Sequence, residues 1–399
     1  MEEIKVTMNI GLFTDTYFPQ NSGVATSIKT LKEALEAQGH NVFIFTTTDP
    51  GVAKDSIEAN IFRFSSVPFI GFSERRIAFR GFFEAAKVAK EVNLDIVHTQ
   101  TEFSMGSIGK FVAKQLEIPA IHTYHTMYED YLHYVLNGHL LRPVHVKQFT
   151  KGYLKNMDGV IAPSPRVANL LTRYGVEIPM RVIPTGVDLG AVSQGEKIDL
   201  RKKLGISEDT PVMLTLGRVA AEKKISHILK VMPELLEEFP DLIFVIAGDG
   251  PDVDQLKDQV ERLTLEGHVI FTGNVEHDQV GSYYQMADLF VSASDTETQG
   301  LTYIEALANG RRCVVYKTEY TDQVFDNPVY GTTFETYRQM KEAIEAYLRQ
   351  GRIEIPEDLL AKKLDEISAS RFASRVCDFY QFAIDNYQVK EDKDKDDQN

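Results

Sequence analysis

Val212-Met213-Leu214-Thr215-Leu216 runs directly into Gly217-Arg218-Val219-Ala220-Ala221-Glu222-Lys223-Lys224, and then into the amphipathic stretch Ile225–Glu238. A short apolar run, a glycine-led loop and a helix-period segment, in that order, make the repeating unit of a parallel sheet covered by helices. The pattern continues forward through Leu242–Ala247, a helix over Asp252–Leu263, Val269–Phe271 and Leu289–Ser292. It also runs once earlier. Met8–Phe13 reads as a first strand and Val24–Gln38 as its helix, closed by Gly39. Asn41–Thr46, Asp95–Thr99, Pro119–Tyr124 and Gly159–Ala162 supply further strands. A cycle that stops and restarts predicts an α/β chain of two Rossmann-like domains, with the break near Arg181–Asp199. The expected divisions are 1–190 and 191–369, a last helix over 370–388 that packs back toward the first domain, and a disordered tail over 389–399. Residues 1–7 precede the first strand and read as a dispensable extension.

Composition agrees with two cores. At 399 residues the chain exceeds what one ordinary core organises. No apolar run is long enough to cross a bilayer, and the first residues lack the basic stretch of a secretory signal. Two cysteines, Cys313 and Cys377, are too few for a disulfide framework and fit a reducing cytoplasm. The first 190 residues carry 19 Lys/Arg against 19 Asp/Glu, so the net charge of −15 resides in the remainder. An acidic chain of this kind is a poor nucleic-acid binder. Two windows run the other way: residues 60–90 hold six basic groups against two acidic, and 138–166 hold five against one.

In open parallel sheets ligands bind beyond the carboxyl ends of the strands, so the loops after strands are where chemistry is expected. Glu297-Thr298-Gln299-Gly300-Leu301-Thr302-Tyr303-Ile304-Glu305 follows the strand Leu289–Ser292. Gly300 lets the backbone approach a ligand, and the free N–H groups of Leu301 and Thr302 at a helix start suit a phosphate. Glu305 flanks the apolar stripe of that helix and needs donors, which ribose hydroxyls would supply. Arg218 and Lys223, on the loop after Val212–Leu216, can both reach a diphosphate and stabilise it as it departs without Mg²⁺. Asp295 and Glu297 imitate a metal-binding pair, but with two cations at hand we expect neither a metal site nor a cofactor. In the first half, Gly23 opens a helix after the loop Asp15–Ser22, and Pro119–Tyr124 delivers His125 within His122-Thr123-Tyr124-His125-Thr126. Strand alternation places His125 on the face of Ile121 and Thr123, with His122 opposite. The loop after the first strand lacks Gly-x-Gly-x-x-Gly, which argues against a nicotinamide-dependent dehydrogenase.

Taken together, the Glu297/Glu305 pair, Gly217-Arg218 with Glu222-Lys223, Gly248-Asp249-Gly250-Pro251 and Ile183-Pro184-Thr185-Gly186-Val187-Asp188 resemble the retaining family 4 glycosyltransferases of the GT-B fold, from about Met8 to about Ala308. The resemblance implies two Rossmann-like domains whose parallel sheets face across a cleft. It implies that Glu297 contacts the donor sugar, Glu305 the ribose, Arg218 and Lys223 the diphosphate, and His125 the sugar and phosphate. Gly23, Gln299, Gly300, Leu301 and Thr302 complete the expected donor site.

Phe13–Pro19, His98–Ser104 and His122–Tyr131 narrow the resemblance to bacterial diacylglycerol glucosyltransferases, which make monoglucosyldiacylglycerol for membrane glycolipids and lipoteichoic acid anchors. That implies UDP-glucose as donor, diacylglycerol as acceptor, and peripheral attachment to an anionic membrane on its cytoplasmic face. Asp15 and Tyr17 are then expected on the acceptor side. The basic windows, with Phe69, Phe72, Arg75, Arg76 and Arg80, and with Lys147 and Lys151 on a helix, are expected at the lipid surface. Two alternatives remain: a family 4 enzyme acting on a glycolipid or a soluble glycan, for instance with a galactosyl donor, and a catalytically silent partner subunit. One departure from the family stands out: Gly310-Arg311-Arg312-Cys313, where a small-residue turn and a proline are usual.

Overall fold

The computed structural model describes residues 7–396, apart from 21, 54–57, 70–71, 79–80, 129–142, 188–197 and 297–299; at 69, 72–75, 277 and 390–396 it describes the backbone alone. The chain divides into two compact units, one built from residues 1–186 and 369–399 and the other from 187–368.

The first unit is a seven-stranded sheet with the spatial order β3-β2-β1-β6-β7-β8-β9. Its strands are β1 (Asn9–Thr14), β2 (Asn41–Thr47), β3 (Ile61–Phe64), β6 (Ile96–Thr99), β7 (Ala120–Thr123), β8 (Gly159–Ala162) and β9 (Met180–Val182), and every pair is parallel. A separate antiparallel pair, β4 (Ser66–Phe69) with β5 (Phe72–Ala78), lies between β3 and β6 in the chain. Helices α1 (Gly23–Ala37), α2 (Phe82–Glu91), α3 (Ser104–Leu116), α4 (Pro143–Leu154) and α5 (Pro165–Tyr174) make the crossovers.

Alternation along β1 sends Ile10 and Leu12 into one core and Phe13 into the other. Phe13 stacks on Phe45 of β2 at 4.3 Å between ring centres. The C-terminal helix, Ala369–Asp396, closes the Ile10/Leu12 face. Its apolar residues Phe372, Ala373, Val376, Phe379, Tyr380 and Ala383 recur at spacings of three and four, the stripe of a core-facing helix. Phe379 lies so close to β8 that a Cβ at Gly159 would come within 2.4 Å of its ring. The helix continues through Asp396, so the disordered tail expected from residue 389 is a correction.

The second unit is a six-stranded parallel sheet in the order β12-β11-β10-β13-β14-β15. The strands are β10 (Val212–Leu216), β11 (Ile243–Ala247), β12 (Val269–Gly273), β13 (Leu289–Ser292), β14 (Arg312–Tyr316) and β15 (Gly331–Phe334). Val212 and Leu214 point into one core and Met213 into the other, so both faces are buried, as parallel sheets require. The order places β10 between β11 and β13. Connections therefore leave β10 in one direction and return to β13 in the other, which opens a crevice at their carboxyl ends.

Arg311 and Arg312 are absorbed by the second unit. Arg311 donates to the carbonyls of Asn309 (3.0 Å) and Ala287 (3.3 Å), and burial lowers its pKa to about 10. Arg312 lies over the Tyr347 ring and donates to Gln350 Oε1 at 2.8 Å. Among the described residues no helix is long and apolar enough to cross a membrane.

Candidate active site

The crevice of the second unit holds a small pocket lined by Thr215, Leu216, Gly217, Arg218, Lys223, Ile225, Ile246, Ala247, Ser292 and Thr302. The loop after β10 reaches this place because glycines let two backbones touch. Gly217 (φ 137°) and Gly248 (φ 142°) both occupy the left-handed half of conformational space. A Cβ on Gly248 would come 1.8 Å from the Gly217 carbonyl oxygen, and one on Gly250 would come 2.2 Å from that of Val219. The Gly217 amide donates to Ala247 and the Val219 amide to Asp249, both at 2.9 Å. Gly248-Asp249-Gly250 is therefore the platform on which the Arg218 loop rests.

Arg218 is exposed and makes no hydrogen bond to any described residue, so its five N–H donors are available to an anion. Lys223 ends a short 3₁₀ turn, Ala221–Lys223, and lines the same pocket. The adjacent Lys224 turns elsewhere, into an ion pair with Asp295. That pair occupies the carboxylate which, with Glu297, imitated a metal site in the sequence. Two neighbouring lysines thus have different tasks.

Gly300 (φ 64°) caps the helix Leu301–Ala308, and a Cβ there would approach the Tyr303 ring to 2.4 Å. Leu301 and Thr302 form its first turn, and Thr302 faces the pocket. Glu305, one turn on, is partly buried, and its Oε2 accepts from the Tyr284 hydroxyl at 3.0 Å. Burial raises its pKa to about 7, against the lowering effect of that hydrogen bond. With no described cation beside it, this carboxylate is under-supplied with donors. Tyr284, 21 residues earlier, carried no sequence signal that it would be the partner. Glu297 and Gln299 lie outside the described residues.

In the first unit, Gly23 begins α1, the Ser22 hydroxyl caps it by accepting from the Ala25 amide (3.1 Å), and a Cβ on Gly23 would meet open space. β7 ends at Thr123, so strand alternation does not govern His125. Its half-buried ring turns toward the neighbouring loop, with Nε2 2.7 Å from Gln100 Oε1. His122 is fully buried between Thr99 Oγ1 (2.8 Å) and Glu102 Oε1 (3.2 Å), and His98 between the hydroxyls of Tyr380 and Thr123, both at 2.7 Å.

Two residues expected on the acceptor side are engaged within the first unit. Asp15 is buried, its carboxylate accepting from Thr101 Oγ1 (2.6 Å), Ser104 Oγ and the Met105 amide (3.0 Å). It satisfies the start of α3, a helix-capping task that a strand-end aspartate fulfils as readily as ligand binding. Burial raises its pKa. Tyr17 is also buried, packed in the Ile10/Leu12 core, and burial lifts its phenol to about 12.

Of the expected membrane residues, Arg75 and Arg80 and the rings of Phe69 and Phe72 lie outside what is described. Arg76 is pinned to the facing strand, its Nε donating to Ser66 Oγ (2.9 Å) and an Nη to the Ser66 carbonyl (2.7 Å). Lys147 and Lys151 are exposed on α4; the former donates to the Arg173 carbonyl at 3.3 Å.

Family models for Glycosyltransferase Family 4 and Glycosyl transferases group 1 match residues 21–191 and 196–363. The chain is 46% identical to the alpha-monoglucosyldiacylglycerol synthase of Streptococcus pneumoniae, over 98% of this chain and 89% of that protein. It is 34% identical to the protein of the same name from Acholeplasma laidlawii, over 92% and 94%. Among solved structures, sucrose-phosphate synthase from Thermosynechococcus elongatus superposes with a TM-score of 0.74 at 22% identity, covering 94% of this chain and 98% of that one. Anabaena HepE in complex with UDP-glucose gives 0.72 at 16%, covering 94% and 99%. These superpositions establish the GT-B fold. The glycine platform, the two-cation loop and the helix bearing Glu305 sit in that fold, and the sequence relationship spans nearly its whole length: the chain belongs to the glycosyltransferase family that contains the alpha-monoglucosyldiacylglycerol synthases.

Proposed function

We propose that the protein transfers glucose from UDP-glucose to the free hydroxyl of diacylglycerol with retention of configuration, giving monoglucosyldiacylglycerol for membrane glycolipids and lipoteichoic acid anchors. The observation that carries this reading is the pocket at the β10/β13 crevice, where Arg218, Lys223 and the first turn of the Leu301–Ala308 helix meet. In this reading Arg218 and Lys223 hold the diphosphate, and the ribose hydroxyls supply the donors that Glu305 lacks. Glu297 and Gln299 adjoin the sugar, and Gly23 leaves room for close approach at the start of α1. The acceptor oxygen attacks C1 of glucose while the C1–O bond to the β-phosphate breaks. The acceptor proton passes to the departing phosphate oxygen, and the two fixed cations stabilise the UDP that forms. The names of the two relatives support the choice of acceptor and sugar.

Two exposed aromatic patches support docking on an anionic lipid surface. Phe82 and Phe83 of α2, the latter 79% exposed, each meet Phe111 of α3 edge-on at 5.4 Å, with Lys87 and Lys90 exposed on the same helix. Phe149 of α4 stacks on Phe103 at 6.3 Å, and Val144, Lys147 and Lys151 are exposed on the same helix. Phe103 and Phe111 stand eight residues apart, about 12 Å along α3, so this helix links the patches. Each lysine near an anionic surface contributes about 1 kcal/mol, and four give about 4 kcal/mol, screened by salt.

The test is incubation with labelled UDP-glucose and vesicles of diacylglycerol and anionic phospholipid, with and without EDTA. We expect α-linked glucolipid under both conditions. Label transfer to a soluble glycan instead, or no glucolipid, would refute the proposal.

A further inference from the structure

β15 is the last strand of its sheet, and a groove of about 630 Å³ runs between it and the helix Tyr337–Gln350. The groove belongs wholly to the second unit and shares no residue with the Arg218 pocket. One face of the helix, from Gln339 and Glu342 through Ala343 and Ala346 to Gln350, forms one wall, and the two alanines keep it low. Thr332 and Thr333 form the other. Tyr347 ties the walls together: its hydroxyl donates to the Pro328 carbonyl at 2.9 Å and lies 2.8 Å from Thr332 Oγ1.

The carbonyls of Tyr330 and Phe334 accept from the amides of Cys313 and Lys317 at 3.1 and 2.8 Å, and so face β14. Alternation turns the amides and carbonyls of Gly331 and Thr333 the other way, where the sheet has no further strand. Such a row of unpaired backbone groups is a template for an added strand. Arg312 stands at its start, one residue before the Cys313–Gly331 pair of the register. It is 8% exposed and is the one cation among the residues that line the groove. Its Nη1 donates to Gln350, whereas Nε is buried with no partner among the described residues, and Nη2 has none among them either. The Nε–Nη2 edge of a guanidinium is shaped for two parallel bonds to a carboxylate. A methionine would pack on Tyr347 here without burying an unmatched donor. Glu342, toward the other end, has its own partner in Arg338 at 3.7 Å.

We propose that this groove docks the free carboxy terminus of a partner protein, whose last residues add an antiparallel strand to β15 and whose α-carboxylate takes the Nε–Nη2 edge of Arg312. The direction follows from the placement: Arg312 marks the start of β15, so a chain that ends there runs opposite to it. Glu342 precedes Gln350 by eight residues, about 12 Å along the helix. Four extended residues reach about 13 Å, so a tetrapeptide fits that length. A single cation, with Glu342 in the same groove, suits one negative charge rather than the two of a phosphate monoester.

The probes are pools of N-acetylated tetrapeptides, each pool fixed at its final residue and prepared both as free acid and as carboxy-terminal amide. They are added to the full-length protein labelled with ¹⁵N-arginine, in which Arg312→Met identifies the Arg312 Nε resonance. At least one free-acid pool should move that resonance and bind roughly tenfold to a hundredfold more tightly than its amide. Methylating the backbone amides of the best peptide, one at a time, should abolish binding at one position or more, because strand addition needs those donors. Arg312→Met should lose the preference for the acid while keeping a cooperative thermal transition; if it does not fold, the acid and amide arms on the wild type decide alone. Equal binding of acids and amides, no pool that moves the resonance, or binding indifferent to every methylation would overturn the proposal. So would acetate or inorganic phosphate that matches the affinity of the best peptide, since the groove would then be a small-anion site.

Discussion

The affinity for UDP-glucose should rise with pH through neutrality, and Glu305 is the reason. Burial holds its free-protein pKa at about 7, with Tyr284 as its donor. Ribose hydroxyls can bond fully only to the carboxylate, so bound donor returns the pKa toward the ordinary value. If that return is complete, then at a pH of about 5.5, about 1.5 units below the free-protein value, binding is about thirtyfold weaker than at pH ~8.5, or about 2 kcal/mol. UDP-glucose suits the experiment because its diphosphate is a diester without a proton to lose near neutrality, and His125, lowered to about 3, is silent across this range. Isothermal titration in two buffers of different ionisation enthalpy should count about half a proton released per donor bound at pH ~7. Glu305→Gln should bind more weakly, with a flat pH profile and no proton release. The same shift predicts the stability of the unliganded protein. Between about 4.5 and about 7 the folded state binds more protons than the unfolded state, so stability falls as pH rises through this window and is level above it. Glu305→Gln should remove that fall, worth at most about 3 kcal/mol. Wild-type affinity that ignores pH, with no proton release, would refute the reasoning.

Three further predictions concern other parts of the molecule. In the proposed mechanism both side chains act on developing phosphate charge, so Lys223→Ala and Arg218→Ala should each lower kcat by about 10²–10³-fold, which steady-state kinetics checks. Tyr380→Phe removes the hydroxyl that partners His98 Nδ1 and should cost about 1–3 kcal/mol in urea unfolding, since the fully buried imidazole is left with an unmatched nitrogen. Phe83→Ser with Lys87→Ser should weaken sedimentation with phosphatidylglycerol vesicles by roughly tenfold or more while leaving UDP-glucose binding as it was.

The sheet architecture was legible because β1, β10, β11 and β13 are buried on both faces and read as largely apolar runs flanked by helix-period segments. Ile61–Ala78 was not, since its strands mix phenylalanine, arginine and proline, and the antiparallel pair draws on cross-strand contacts such as Arg76 with Ser66 that no local period announces. In the second unit, chemistry and place after strands led to the expectation of Arg218, Lys223, Thr302 and Glu305 at one site, and the first three line one pocket. Their supports were not legible. Tyr284 reaches Glu305 only once the Val280–Met286 helix packs beside Leu301–Ala308, and no sequence signal announces the ion pair of Lys224 with Asp295. Asp15 and Tyr17 show what the sequence does not distinguish: a polar residue after a strand can be engaged by the next helix start or by the core as readily as by a ligand.

The first unit is assembled from both ends of the chain, and its Ile10/Leu12 core is incomplete without Phe372, Val376, Phe379 and Tyr380. During synthesis the contiguous stretch 187–368 emerges whole and can reach its native form while the earlier-made strands still wait for their cover. The usual order of maturation from the amino terminus is thereby reversed. A nascent chain arrested before residue 369 would carry a complete 187–368 unit and an open, sticky sheet, a state that invites chaperone capture until Phe372, Val376, Phe379 and Tyr380 emerge.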